Sequence, residues 1–368
     1  MKKQKNILFL VFTLICVLLC ASACSDSESN AVPTSNVIFN TPSGTTATEA
    51  QSPTADSTPT PVVTEAPTAE PTKVPTTEPT KLPTAVPTAV PTSTTAPATG
   101  DFQLSLDYAE NTSDKATYTN RAPLKQVSFT VTDPQNTRNL STERVGHWFG
   151  KDDTQPKKFQ SQYESKGWSA LTIDTKSTDK VIYLTFDCGY ENGNTGKILT
   201  TLKEKNCPAA FFVTLDFAKD EPSLISRMIE DGHIVGNHSS SHPDFTKISR
   251  ERVAREVQKL DNYLRVNFGY SAPYFRYPMG AYSDNTMDML TSLGYRSIFW
   301  SYAYEDYNEG SFPGKDLAFK YVTERLHPGE VLLLHAISPG NADALGDIID
   351  YARAQGYEFR SLDQYFNQ

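Results

Sequence analysis

From Lys180 onward the chain alternates two kinds of apolar pattern. Short runs rich in β-branched and aromatic residues lie at Val181 to Asp187, Ala209 to Leu215, His233 to Asn237, Tyr274 to Tyr277, Arg296 to Trp300, Glu330 to His335 and Glu358 to Ser361, and they predict strands. Between them, Thr195 to Lys205, Pro222 to Asp231, Ser249 to Asn267, Ser283 to Leu293, Lys315 to Leu326 and Ala342 to Ala354 carry helical spacing. Strands alternating with helices pair in parallel through right-handed crossovers. Seven such strands predict an α/β fold closed, or nearly closed, into a barrel. An open doubly wound sheet is the alternative, but no glycine-rich phosphate loop follows the first strand.

Upstream the pattern weakens. Phe102 to Leu106 and Val127 to Val131 alternate like strands, while Gly146 to Gly150 and Gly167-Trp168 read as aromatic packing onto something larger, so residues 101–179 predict a small extension capping the barrel. Residues 24–100 are Thr, Pro, Ala and Ser in repeated PT units, too poor in apolar side chains to fold, and read as a disordered linker. Stiffened toward polyproline II, at about 3.1 Å per residue, it would reach on the order of 200 Å. That span suits a cell-wall substrate; a plain or glycosylated spacer is the simpler reading.

Residues 1–23 have the zones of a secretory signal: Lys3 and Lys5, an apolar run from Ile7 to Cys20, then Ala21-Ser22-Ala23 before Cys24. The protein is therefore expected outside the cytoplasmic membrane. Cleavage before Cys24 resembles a bacterial lipobox, with Ala21 where Leu is usual, and predicts a lipid anchor on Cys24. An uncleaved anchor or an ordinary A-x-A cleavage are the alternatives. The apolar run falls short of the about twenty residues of a membrane-spanning helix. A net charge of −9 with no basic stripe argues against nucleic acid. Cys188 and Cys207 fall at opposite rims of a parallel barrel and should not bridge, so the exported domain must rely on its own core.

Candidate chemistry gathers where strands end. Asp187 closes the first strand and runs into the turn Cys188-Gly189 just before a helix, at the rim where parallel α/β folds collect ligands. Four later segments bring further groups to equivalent positions: NHSSSHP (237–243), FRYPMG (275–280), WSYAYEDY (300–307) and VLLLH (331–335). His238 and His242, four apart, would lie on one side of a helical turn, with small polar neighbours leaving room for a metal and its water. Asp187 would act as general base on that water. Arg276 would hold Asp187 by a bidentate pair. His335 would be a general acid oriented by Asp306, and Leu333, on the same strand face, an apolar wall for an acyl methyl. Each group alone has a plainer reading, as surface pair, packed histidine, ion pair or solvated loop; together they describe a hydrolytic site.

On these residues the stretch from Lys180 to Leu362 resembles the polysaccharide deacetylase family, carbohydrate esterase family 4, also called the NodB homology domain. The matches are TFD with Asp187, His238 with His242, Arg276 with Pro278, Asp306, and Leu333 with His335. The resemblance implies a distorted (β/α)7 barrel at residues 180–364, metal-dependent hydrolysis of an N-acetyl group from an amino sugar, and Asp187, His335, Arg276 and Asp306 as the catalytic set. It implies His238 and His242 as ligands of a divalent ion, zinc or another such as cobalt, and Leu333, Tyr307 and Pro278 against substrate. TFDCGYENG, GNHSSSHPDFT and LLLHAISPGNADAL resemble the branch that deacetylates N-acetylmuramic acid of peptidoglycan for the spore-cortex δ-lactam, so the expected partner is a glycan strand, and the expected host a spore-forming Gram-positive bacterium holding the protein as a monomeric lipoprotein.

Two departures stand out. Cys188 replaces the family's second, metal-binding Asp, as is common in that branch; it either completes a Cys and two-His site or is an inert small residue. Tyr307 replaces the usual Trp and alters the acetyl pocket. N-acetylglucosamine of peptidoglycan or chitin-like oligomers is the competing substrate. A non-catalytic wall-binding module is the competing class, favoured by the lost Asp and opposed by the retained acid, base and orienting partners.

Overall fold

The computed structural model describes residues 99–106 and 112–367. The export signal, Cys24 and the linker up to residue 98 lie outside the described residues. Among the described residues, no helix is long and apolar enough to cross a membrane.

The strands Val181–Cys188, Ala210–Val213, Ile234–Asn237, Tyr274–Phe275 and Arg296–Ile298 pair in parallel in that order, with Glu330–His335 on the other edge of Val181–Cys188. Bridges from Tyr302 to Leu332 and from Ile173 to Glu330 bring the two ends of this sheet nearly together as a barrel. Strands buried on both faces need two apolar layers, and the period of two separates them. Ile182, Leu184, Phe186 and Cys188 face the helices, packing with Ile198, Leu199, Leu202 and Ile349. Val181 and Tyr183 face the other way, with Phe212, Tyr274, Ile298 and Val331, and Leu362 and Tyr365 of the last helix, Leu362–Phe366, join this inner cluster. That short helix, and helix Leu215–Asp220 capped by Thr214, were not apparent in the apolar pattern.

The extension is built into the barrel rather than laid upon it. Ala170–Leu171 pairs in parallel with Ser297 and Ile298, adding a strand from upstream of residue 180, while Glu358–Phe359 pairs with the beginning of Val181–Cys188 off the main path. The boundary expected at residue 180 therefore cuts through the sheet. A two-residue strand has no period to read, and helix Thr154–Ser165, which packs Phe159 and Tyr163 beside it, has only a narrow apolar stripe. The strand expected at Phe102 to Leu106 is a short pair, Phe102–Gln103 with Thr130–Val131. Next to it, Gln258 and Asn262 on helix Arg250–Phe268 accept from the backbone N–H of Phe129 and Val127 at 2.7 and 2.8 Å and donate to Ser105 and Val127 carbonyls. Polar side chains on the buried helix face thus stand in for a strand partner, as the unpaired backbone requires.

Candidate active site

Asp187 and His335 are cross-strand partners in the register of two adjacent parallel strands, about 4.8 Å apart by the ordinary strand spacing. Both line one cleft of about 860 Å³, together with His238, His242, Leu333, Tyr307 and Trp300. Segments more than a hundred positions apart therefore meet at one rim.

Arg276 is wholly buried and spends each guanidinium arm differently. Nη1 donates to Asp187 Oδ1 at 2.9 Å, while Nε and Nη2 donate to the carbonyls of Ile298 and Phe299 at 3.0 Å. The bidentate pair expected from sequence is thus a single bond, because two arms are needed to anchor the neighbouring strand end. The guanidinium also lies 4.3 Å over the Phe212 ring, whose place depends on Gly236: a Cβ there would sit 2.6 Å from that ring. Burial disfavours the charge on Asp187, yet Arg276, with His238 and His335, holds its carboxyl below the ordinary value. Its second oxygen, Oδ2, is left for the cleft.

The two metal-candidate histidines do not occupy a helical turn. Strand Ile234–Asn237 ends, and Ser239 and His242 take left-handed backbone angles, φ 76° and 53°, that bring the rings to 4.9 Å edge to face. A loop with two such residues has to be held. Asn237 Oδ1 accepts from Ser239 N, Ser239 Oγ from His242 N, and Glu256 Oε2 from the N–H groups of Ser240 and Ser241 at 3.0 and 2.8 Å. His238 Nδ1 donates to the Arg276 carbonyl at 2.8 Å, which fixes the tautomer and leaves Nε2 an unprotonated acceptor 3.6 Å from Asp187 Oδ2. Burial lowers His238 to about 4, so no proton fills that gap near neutral pH; burial lowers His242 as well. The His238 Nε2 lone pair beside the second, neutral imidazole of His242 fits one side of a divalent cation, with Asp187 Oδ2 close by and free to act on a water there. Among the described residues, no group of three or more His, Cys, Asp or Glu side chains is placed to hold an ion, so the histidine pair would be completed by water or substrate.

Cys188 is not placed to join them. It follows Asp187 on the strand, so its thiol faces the opposite, helix-packed layer, is wholly buried, and titrates well above its ordinary value because of that burial. Cys188 and Cys207 are both free and buried.

His335 Nδ1 donates to Asp306 Oδ1 at 2.6 Å, leaving Nε2 for the cleft. Asp306 is fully buried; its other oxygen accepts from the His335 backbone N–H at 2.7 Å and from Asn341 Nδ2 at 2.6 Å. Burial alone would lower the imidazole's affinity for a proton, but the bond and charge of Asp306 raise it above the ordinary value. Leu333 lines the cleft beside His335, and Tyr307, about half exposed, packs its ring edge-on at 5.2 Å from the imidazole. Pro278 does not reach the cleft: it is buried at the start of a tight turn, and the wall is made by Met279, at φ 57°, and Gly280 after it. Asn341 and Glu256 had no sequence reading, and Phe149 only that of an aromatic stretch packing onto something larger. The first belongs to the Ser338-capped start of helix Pro339–Ala354, which begins three residues before the apolar spacing does, so its PGNA stretch was the available clue. Phe149 reaches the cleft because Val145–Gly146 pairs with Ala281–Tyr282.

The polysaccharide deacetylase family profile matches residues 174–298. The peptidoglycan-N-acetylmuramic acid deacetylase PdaA of Bacillus subtilis is 41% identical over 186 residues, which cover 50% of this chain and 71% of that one. The chain belongs to the polysaccharide deacetylase family. The solved structure of Bacillus subtilis PdaA, a family 4 carbohydrate esterase, superposes with a TM-score of 0.59 at 36% identity, covering 62% of this chain and all of that one. A chitooligosaccharide deacetylase of Sinorhizobium fredii is 34% identical, covering 50% of this chain and 90% of its own length. The fold is thus the NodB-type barrel, and this family member is a hydrolase of non-peptide amide bonds, a de-N-acetylase. Asp306 and His335 lie beyond the profile match, so their place beside Asp187 is an observation of the geometry itself.

Proposed function

We propose that the protein removes N-acetyl groups from peptidoglycan glycan strands, with N-acetylmuramic acid as the acetylated sugar and the spore-cortex δ-lactam as the purpose. The observation that carries the reaction is the side-by-side placement of Asp187 and His335, one held ionised by Arg276 and the other given a raised proton affinity by Asp306. Support for the sugar comes from the muramic-acid specificity named for the relative at 41% identity.

Asp187 Oδ2 takes a proton from a water whose oxygen adds to the acetyl carbonyl carbon. The tetrahedral species collapses by breaking the C–N bond as His335 Nε2–H passes its proton to the leaving nitrogen, giving acetate and a free amine. Asp306 and Asn341 keep the imidazole aimed, and Leu333 receives the methyl. His238 and His242 would hold a divalent ion, which when bound supplies Lewis acidity to the carbonyl and acidifies the water. The sequence-based expectations of export, a lipid anchor at Cys24 and a wall-spanning linker fit a substrate outside the cell.

The test is acetate release from peptide-stripped glycan strands by metal-loaded protein, with mass spectrometry to locate the new amine. Amine on muramic acid supports the full reading. Amine on glucosamine replaces it with the second reading, which the 34% identity to a chitooligosaccharide deacetylase favours, and no acetate from any strand overturns both.

A further inference from the structure

The catalytic cleft has a neighbour. Tyr304 and Glu305, which line it, also line a second, more open cleft of about 570 Å³ bounded by Ser311, Phe312, Leu317 and Tyr321. Leu317 and Tyr321 stand four apart on helix Lys315–Thr323, on one face, and are 47% and 39% exposed, unusual for large apolar side chains that have barrel surface nearby to cover.

Aromatic rings lead from one cleft into the other. Tyr307 lies 5.2 Å from the His335 imidazole, and Tyr304, whose hydroxyl bonds Asn341, lies 5.4 Å from the Tyr321 ring. A pyranose presents an apolar C–H face and a hydroxylated edge. Exposed tyrosine faces with a carboxylate and a hydroxyl beside them, Glu305 and Ser311, match both halves of that surface. The shared wall decides the occupant: whatever lies in the second cleft can be covalently continuous with the molecule reacting in the first.

We propose that this second cleft is a saccharide subsite, holding sugar units of the same glycan strand beyond the one that loses its acetyl group. The proposal rests on the glycan reading above, and names Tyr321 and Leu317 as residues that select chain length rather than take part in the chemistry.

Tyr321→Ala and Leu317→Ser are compared with wild type on peptide-stripped strands and on the free N-acetylated monosaccharide, which has no second unit to place. Expected is a KM for strands raised about fivefold in each variant, the worth of one modest stacking contact, with kcat and all monosaccharide constants unchanged. An unchanged KM for strands, or an equal change on the monosaccharide, overturns the proposal. Calorimetric titration of the same strands into wild type and both variants gives a readout independent of turnover: about fivefold weaker binding supports the subsite and equal affinity overturns it, while absence of acetate from wild type would indict only the reaction. Variants that alter concentration-dependent mass in light scattering and leave every strand parameter untouched would assign the face to a second copy of the chain and overturn the subsite.

Discussion

Strand Glu330–His335 carries an ionisable group at each end, and the two ends fare oppositely. At its beginning Glu330 is fully buried, accepts a long 3.4 Å contact from the His327 N–H, and among the described residues has no hydrogen-bond partner on Oε1; burial pushes its carboxyl up to about 8, so it is mostly neutral at pH 7. The adjacent His327 is also driven toward its neutral form by burial. At the strand's far end His335 is only partly buried, its side chain 23% exposed toward the cleft, and a loop supplies Asp306 and a helix start supplies Asn341 behind it, which raises its affinity for a proton. The two ends differ in depth and in the oriented counter-charge that the rim end has. Along this strand a charge is favoured at the end where the C-terminal rim delivers an oriented partner, which suits that end to chemistry and the other to structure.

The strongest way to break this contrast is at the rim. Asp187→Asn keeps the shape and a hydrogen bond to Arg276 but removes the base and the counter-charge, and should lower kcat by about 10³–10⁴-fold together with some loss of stability to urea from the unpaired buried guanidinium. Near-normal turnover would move the base elsewhere. Asp306→Asn keeps a hydrogen bond to His335 but removes the charge, and a loss of about 10–100-fold is expected. Cys188→Ala probes the other face of the same strand end: metal content by mass spectrometry and kcat should stay within about twofold of wild type, and stability should fall by about 1 kcal/mol for the emptied volume. Loss of bound metal would return the thiol to the ligand set. The smallest change belongs to the structural end. Glu330→Gln mimics the protonated carboxyl, so activity should not move. The folded carboxyl titrates above its unfolded value, so the native state binds the extra proton and wild-type stability declines as pH rises from about 4.5 toward 8. Urea denaturation should find the variant equal to wild type at the acid end of that window and more stable at the alkaline end; a variant weaker at pH 8 would mean Glu330 is ionised and paired.

Much of the rim was legible from sequence, because a strand's end and its parity can be read from apolar runs. Asp187, Arg276, Leu333 and His335 all follow from where such runs stop. What the period could not give was the shape of irregular backbone. His238 and His242 have helical spacing, yet Ser239 and His242 adopt left-handed angles in a loop that Glu256, on a helix more than a dozen residues later, holds from below. No glycine announces those angles. Arg276 was paired correctly with Asp187, but its two other bonds go to backbone carbonyls, which carry no residue identity. The strand Ala170–Leu171 is too short for any pattern, and so the extension's part in the barrel appears only in the pairing.

In the proposed reaction His335 acts as an acid whose proton affinity Asp306 raises. Its most direct test is the pH dependence of kcat/KM on peptide-stripped strands for wild type and Asp306→Asn. Wild type should keep activity to a pH above 6.5, the ordinary imidazole value, and the variant's alkaline limb should move to lower pH because the raising charge is gone. An alkaline limb that stays in place, with only its height reduced, would contradict the assignment of His335 as the proton donor.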